Sequence, residues 1–354
     1  MESTDTEINS IPALHFYFAD TFNRGPITPL HLFITYPHTS IGRLPHDASK
    51  KDKSITLQPV GDNIYEIKIR NRKRASTGWL ITKNIVWLFY IHSEETSVVG
   101  SVAENWISGM NPYLSLTRIT PDDLFSLLDS ISSISNQSLM LEDYLTHSYK
   151  SQIQKRYEGQ KNWASQKGWT SEVYDRARLE RDISATNSVL DAIKIEFPNE
   201  KLSFIARISR KGHLTFYRGQ EQGFSNFYSL VVDNYIRVAL SYRKTLENKE
   251  ITITEKENHI HPLIFRNKLS LKMSDFNRMI EAMTEEPNYM VSVIHKGNPW
   301  LYLTVVDRAG GNTCEIYGFE DGLEIIPQLK ATPESLAQLE GLVYEVFPNI
   351  TKTN

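Results

Sequence analysis

The sequence predicts an α+β protein, with an N-terminal β-rich domain over residues 1–135, a helical connector over 136–200, and a C-terminal domain over 201–354 in which an antiparallel sheet is packed with helices. Three observations predict it. Runs rich in Phe, Tyr, Ile and Val, punctuated by Gly and Pro, fill the stretch from Leu14 to Ile91. Apolar residues recur at spacings of three and four behind capping residues such as Thr120 and Thr332. Paired apolar runs joined by Gly-containing turns recur after residue 200.

Composition bounds the class before any motif is read. With 354 residues, 40% apolar and 23% charged, the chain has the make-up of a globular protein of about two domains. Its 39 basic and 42 acidic residues leave a net charge of only −3, so any nucleic-acid contact has to be local and not a property of the whole surface. Cys314 is the only cysteine, which excludes an intrachain disulfide and a thiolate zinc cage. Residues 1–10 are polar and acidic, without the cationic start and apolar stretch of a secretory signal, and a soluble, cytoplasmic protein is expected.

The elements follow in order. His31–Tyr36 and Asn63–Ile69 read as strands, and polar residues 37–53 between them as a solvated, mobile loop. The most apolar stretch, Ile85–Ile91, is far shorter than the roughly 20 residues that cross a bilayer, so it reads as a buried strand and no membrane partner is expected. Thr120-Pro121-Asp122-Asp123 carries a capping hydroxyl, a proline at the first helical position and two carboxylates at the positive end of the helix dipole. Leu124, Leu127, Leu128 and Ile131 then form its apolar stripe. Residues 141–195 have helical composition, with Gly159 and Gly168 as interruptions.

In the second half, Leu202–Ile208 and Leu214–Tyr217 flank a turn that needs Gly212, the pattern of a β-hairpin. Phe224, Tyr228, Val231, Tyr235, Val238 and Tyr242 place one apolar face on the following helix. Ser274 opens a short helix. Tyr289–Ile294, Trp300–Val306, Thr313–Phe319 and Leu323–Ile326 form a meander, and Thr332-Pro333-Glu334 caps a last helix bearing Leu336, Leu339, Val343 and Phe347.

Two clusters carry a functional expectation. Between Tyr149 and Tyr174, Lys150, Lys155, Arg156, Lys161 and Lys167 interleave with Tyr157, Trp163 and Trp169. Cations neutralise phosphates while rings stack on unpaired bases, so this mixture suits a single-stranded nucleic acid. Lys68, Arg70, Arg72, Lys73 and Arg74 place five cations in a seven-residue run, the first three alternating along a strand so that they share one sheet face. Packed rings with solvated lysines, and a solvated hairpin tip, are the structural counterparts of these two readings.

Enzyme signatures are incomplete. No P-loop or dinucleotide glycine fingerprint is present. Ser76–Thr82 resembles the phrase that leads into the histidine of trypsin-like proteases, but Leu88-Phe89-Tyr90 stand where the general base would be. Arg207 and His213 have the arginine-to-histidine spacing of a class of helical ribonucleases, yet they flank a hairpin turn. His259 and His261 share one face of an extended segment without a third ligand at motif spacing. Asp307 and Glu315 lie at facing strand ends, with Glu320 and Asp321 nearby, as in some metal-dependent nucleases, but the usual lysine is missing. The expectation is therefore a non-catalytic, nucleic-acid-associated binding component with no cofactor. The alternatives are a protein-interaction or sensor subunit of a larger assembly or a homo-oligomer, and a metal-dependent nuclease or other enzyme with an unrecognised site.

Overall fold

A computed structural model of the chain describes residues 10–24, 29–71, 74–83, 85–92, 99–134, 139–149, 163–197, 203–247, 262–286, 288–297, 300–308, 310–328 and 330–353. The first elements are α1 (Ile11–Arg24), β1 (Leu30–Pro37), α2 (Leu44–Ser49), β2 (Ser54–Gly61), β3 (Ile64–Asn71), β4 (Arg74–Lys83) and β5 (Val86–His92). Next come α3 (Val99–Ser108), β6 (Leu114–Leu116), α4 (Pro121–Ser133), β7 (Met140–Tyr149), β8 (Trp163–Val173), α5 (Arg176–Ala185) and β9 (Val189–Phe197). The hairpin β10 (Phe204–Ser209) and β11 (His213–Gly219) leads into α6 (Glu221–Glu247). The chain ends with β12 (Leu263–Asn267), α7 (Met273–Glu285), β13 (Tyr289–Gly297), β14 (Trp300–Asp307), β15 (Thr313–Phe319), β16 (Gly322–Pro327), α8 (Pro333–Val346) and β17 (Ile350–Thr353). The class is α+β, as the sequence predicts.

Two compact units divide the chain: Met1–Tyr144 with Gly168–Arg176 and Asp191–Arg237, and Leu145–Lys167 with Ala177–Leu190 and Val238–Asn354. The first holds a sheet of order β2-β3-β4-β5-β1-β11-β10-β9-β7-β8, with β6 paired to β1. On one face of this sheet Phe33, Ile55, Ile67, Ile69, Phe89 and Ile91 pack with Leu44 and Ala48 of α2 and Ala103, Trp106 and Ile107 of α3. The other face takes α1 and α6: Phe18 stacks on Tyr90 at 5.5 Å and meets Trp79 edge-on at 5.4 Å, and Phe216 meets Phe224 at 4.7 Å.

The capping chemistry at Thr120 takes the expected form. Its Oγ1 accepts the Asp123 N–H at 3.0 Å and the Asp123 carboxylate accepts the Thr120 N–H at 3.2 Å, while Leu124, Leu127, Leu128 and Ile131 are buried. Gly212 has φ of +67°, where an added Cβ would lie 2.8 Å from the Ile34 carbonyl oxygen, so the β10–β11 turn requires a glycine. All six apolar residues of the stripe from Phe224 to Tyr242 are buried.

The second unit carries a sheet of order β13-β14-β15-β16-β12-β17. The predicted meander is present, and Leu301, Leu303, Val305, Ile316 and Ile325 are buried in its core with Phe276, Met279 and Met283 of α7 and Leu336, Leu339 and Val343 of α8. β12 and β17, with five and four residues, are too short to announce themselves by alternation. α7 starts two residues earlier than expected: Asp275 accepts the Lys272 N–H at 2.9 Å and makes Lys272, not Ser274, the boundary residue. Thr332 caps α8 as predicted, accepting the Ser335 N–H at 3.2 Å.

Two expectations need correction. Residues 136–200 are not a helical connector among the described residues; they give β7, β8 and β9, with α5 alone helical. The missed signal is period two: Ile193, Ile195 and Phe197 are buried while Lys194 and Glu196 between them are half-buried, and Tyr, Thr, Trp and Val favour a pleated surface. The loop expected over 37–53 contains α2, whose Asp47 accepts the Thr39 hydroxyl at 2.5 Å and whose Leu44 and Ala48 enter the core.

Candidate functional site

β3 delivers the clearest part of the predicted basic surface. Ile67 and Ile69 are buried while Lys68 and Arg70 are exposed, so strict alternation puts both cations on the solvent face. Their cross-strand neighbours are small and uncharged: Lys68 lies between Thr56 and Thr77, and Arg70 between Ser54 and Ala75. All four of these neighbours are exposed. Neither cation is in an ion pair among the described residues, and the nearest acid along the strand is Glu66, opposite Gln58 and Trp79. β2, beside them, is the terminal strand of the sheet.

The other predicted site residues are placed less fully. Arg74 begins β4 and Trp163 and Trp169 lie in β8, but their side chains fall outside the described residues, as do Arg72, Lys73, Lys150, Lys155, Arg156 and Lys161 altogether. Lys167 is in β8 and exposed. His259 and His261 also lie outside the described residues.

The acidic candidates do not converge. Asp307 is buried at the end of β14, where its backbone N–H donates to the Asn312 carbonyl at 2.8 Å and its own carbonyl accepts the Gly311 N–H at 2.7 Å, a turn-closing role. Glu315 pairs across the strands with Thr304, not Asp307, and accepts the Tyr317 hydroxyl at 3.2 Å. Glu320 accepts the Ser270 hydroxyl at 2.8 Å, and Asp321 faces Arg266 at 3.6 Å. Among the described residues no group of three or more His, Cys, Asp or Glu side chains is placed to hold a metal. Cys314 is a buried free thiol in β15.

No family model matches this chain. No curated protein matches it either.

Sequence reasoning missed a polar cluster at the centre of the first sheet. β1 and β11 are antiparallel, with His31 opposite Thr215 and Phe33 opposite His213. This register brings His31 Nδ1 to 3.0 Å from His213 Nε2, with the Thr215 hydroxyl 3.4 Å from both nitrogens. The Phe33 ring stacks on His213 at 4.4 Å. Burial, then the charge environment of His31 and Arg207, lowers the His213 pKa to about 3, so this ring is neutral over the physiological range. Arg207 is cross-strand from Thr215 and forms an ion pair with Asp143 of β7. The Arg207–His213 spacing noted above is therefore real proximity on two strands, without the helix that the ribonuclease pattern needs. His31, 182 positions from His213 in sequence, has no local signal that could have joined it to the pair.

Proposed function

We propose that this chain is a binding component that contacts nucleic acid through the exposed basic face of β3 and the basic residues that follow it in sequence, with the basic-aromatic stretch from Tyr149 to Tyr174 as a second contact. The observation that carries the reading is the pairing of Lys68 and Arg70 on one solvent face, bordered by Ser54, Thr56, Ala75 and Thr77 and held rigid by hydrogen bonding on both sides. An exposed, uncharged border of short side chains leaves room for a phosphate backbone to approach the two cations, and neighbouring Arg72, Lys73 and Arg74 extend the charge in sequence. No helix among the described residues is long and apolar enough to cross a membrane. A reducing cytoplasm suits the single buried thiol of Cys314.

The test is binding of labelled single-stranded RNA, single-stranded DNA and duplex DNA at low and moderate salt, with Lys68→Glu/Arg70→Glu and Lys155→Glu/Arg156→Glu/Lys161→Glu as comparators. Salt-sensitive binding that both variants weaken supports the reading. Binding that neither variant changes, or no binding to any probe, removes it.

A protein-interaction role is the second reading, favoured by one feature of the second unit. β13 is the terminal strand of its sheet, and Met290, Val293 and Ile294 on it, with Trp300 on β14, are 53, 42, 57 and 54% exposed. Edge strands with exposed apolar residues are ready to pair with another chain. Association through this edge would persist at salt concentrations that dissociate a phosphate contact.

A further inference from the structure

We infer, resting on the reading of β13 as a protein-binding edge, that this strand pairs antiparallel with β13 of a second copy of the chain, about a two-fold axis at Ser292. The Asn288 carbonyl accepts the Arg308 N–H at 2.7 Å, and Met290 and Ser292 stand opposite Val306 and Thr304. Bonding alternates along an antiparallel ladder, so Asn288, Met290 and Ser292 turn their backbone groups to β14, while Val291 and Val293 turn theirs to the outer side of this terminal strand. An antiparallel copy centred on Ser292 meets this pattern: the Val291 N–H and C=O of each copy bond the Val293 C=O and N–H of the other. The same register sets Met290 against Ile294 of the other copy on one face. On the core-facing side, where Val291 and Val293 lie opposite buried Val305 and Leu303, it sets Val291 against Val293 of the other copy. The exposed Met290, Val293 and Ile294 are thereby covered.

Charge selects a second copy as the occupant. The strand follows the carboxyl end of α7, whose last turn holds no basic residue and which closes on Glu285 and Glu286. The far end of the strand carries exposed His295 and Lys296. A two-fold antiparallel pair brings the cationic end of each strand to the acidic end of the other, where the negative pole of α7 adds to the attraction. A parallel pair would set Lys296 against Lys296 and Glu286 against Glu286. The register shift between Val293 and His295 is a bulge, which ends regular pairing and restricts the ladder between copies to Met290–Ile294. So short a contact belongs at the weak end of specific interfaces, with a dissociation constant on the order of 10 µM. The interface stands on different residues from the β3 basic face and is independent of the nucleic-acid reading.

The experiment is sedimentation equilibrium of the untagged 354-residue chain over a range of concentrations, joined to disulfide cross-linking. A mass rising from 40.8 kDa towards twice that value is expected. Residues facing each other in a non-hydrogen-bonded antiparallel pair have Cα atoms about 4.5 Å apart, within disulfide reach, so Ser292→Cys should link two copies on mild oxidation. Met290→Cys, separated from its own counterpart by about 13 Å along the strand, should not, and nor should the parent, whose Cys314 is buried. Lys296→Glu should weaken dimerisation roughly tenfold, and Lys296→Glu/Glu285→Lys/Glu286→Lys should restore it. Circular dichroism establishes that each variant is folded. A chain that stays monomeric at roughly 1 mM overturns the assignment. So does a dimer whose Ser292→Cys form does not cross-link. Amide exchange at Val291 and Val293 separates this failure from that of the edge reading: in a monomer, unprotected amides leave the edge open to a different chain, and protected amides remove the edge reading as well.

Discussion

Replacing Lys352 by Met should destabilise the second unit more than any other single change to a half-buried charged residue there. Glu340 of α8 is 0% exposed, and its Oε2 accepts the Tyr242 hydroxyl at 2.7 Å and the Lys352 ammonium at 2.9 Å. Lys352 also lies over the Tyr242 ring at 5.0 Å, so one ammonium answers the carboxylate and the ring face together. Removing one partner of a buried ion pair costs about 3–5 kcal/mol, because the remaining charge stays buried without its counter-ion. The Lys352 side chain is 19% exposed and water can reach part of the vacated space, which places the expectation at the lower end, about 3 kcal/mol. For a unit of this size that is a fall in Tm of roughly 6–12 °C, read by differential scanning calorimetry and by urea unfolding. The double variant Lys352→Met/Glu340→Gln, with no stranded charge, should recover most of the loss. A Lys352→Met protein within about 0.5 kcal/mol of the parent would refute the reasoning, as would a double variant less stable than the single one.

Gly78→Ala should disrupt the β4–β5 pairing, because an added Cβ would lie 1.8 Å from the Tyr90 carbonyl oxygen; urea unfolding should show a loss above about 2 kcal/mol, and near-parental stability would contradict the pairing. Thr120→Ala removes the hydroxyl of the α4 capping box and should cost about 1 kcal/mol in the same assay. His15, packed against Tyr228 and Phe224 with Ser225 Oγ at 3.4 Å, has its pKa lowered to about 4 by burial and then by the charge of Lys83. Its unfolded value is near 6.5, so the unfolded chain binds more protons between these values, and the stability present at pH 7 is lost as pH falls from 6.5 towards 4. The loss by pH 5 should reach about 2 kcal/mol and should be absent in a His15→Gln protein, measured by urea unfolding at both pH values.

What could be read in advance follows the range of the interactions involved. The α4 and α8 caps depend on residues three apart, and the stripe of α6 on spacings of three and four, so Thr120, Thr332 and the run from Phe224 to Tyr242 declare themselves locally. The strands of residues 136–200 were obscured because β7 and β8 mix charged and polar residues among their apolar ones, and composition of that kind also suits a helix. Lys68 and Arg70 alternate within one strand, so their shared face was legible. The His31–His213 contact was not, since it exists only through the pairing of β1 with β11 and nothing in either strand names its neighbour.

The most direct test of the nucleic-acid reading is the dependence of binding on salt for the parent and for Lys68→Ala/Arg70→Ala. Each phosphate contact contributes about 0.7–0.9 to the slope of log K against log salt, so the double variant should have a slope shallower by about 1.4–1.8. A parent that binds with the same slope as the variant, or that does not bind single-stranded or duplex probes at low salt, would contradict the account.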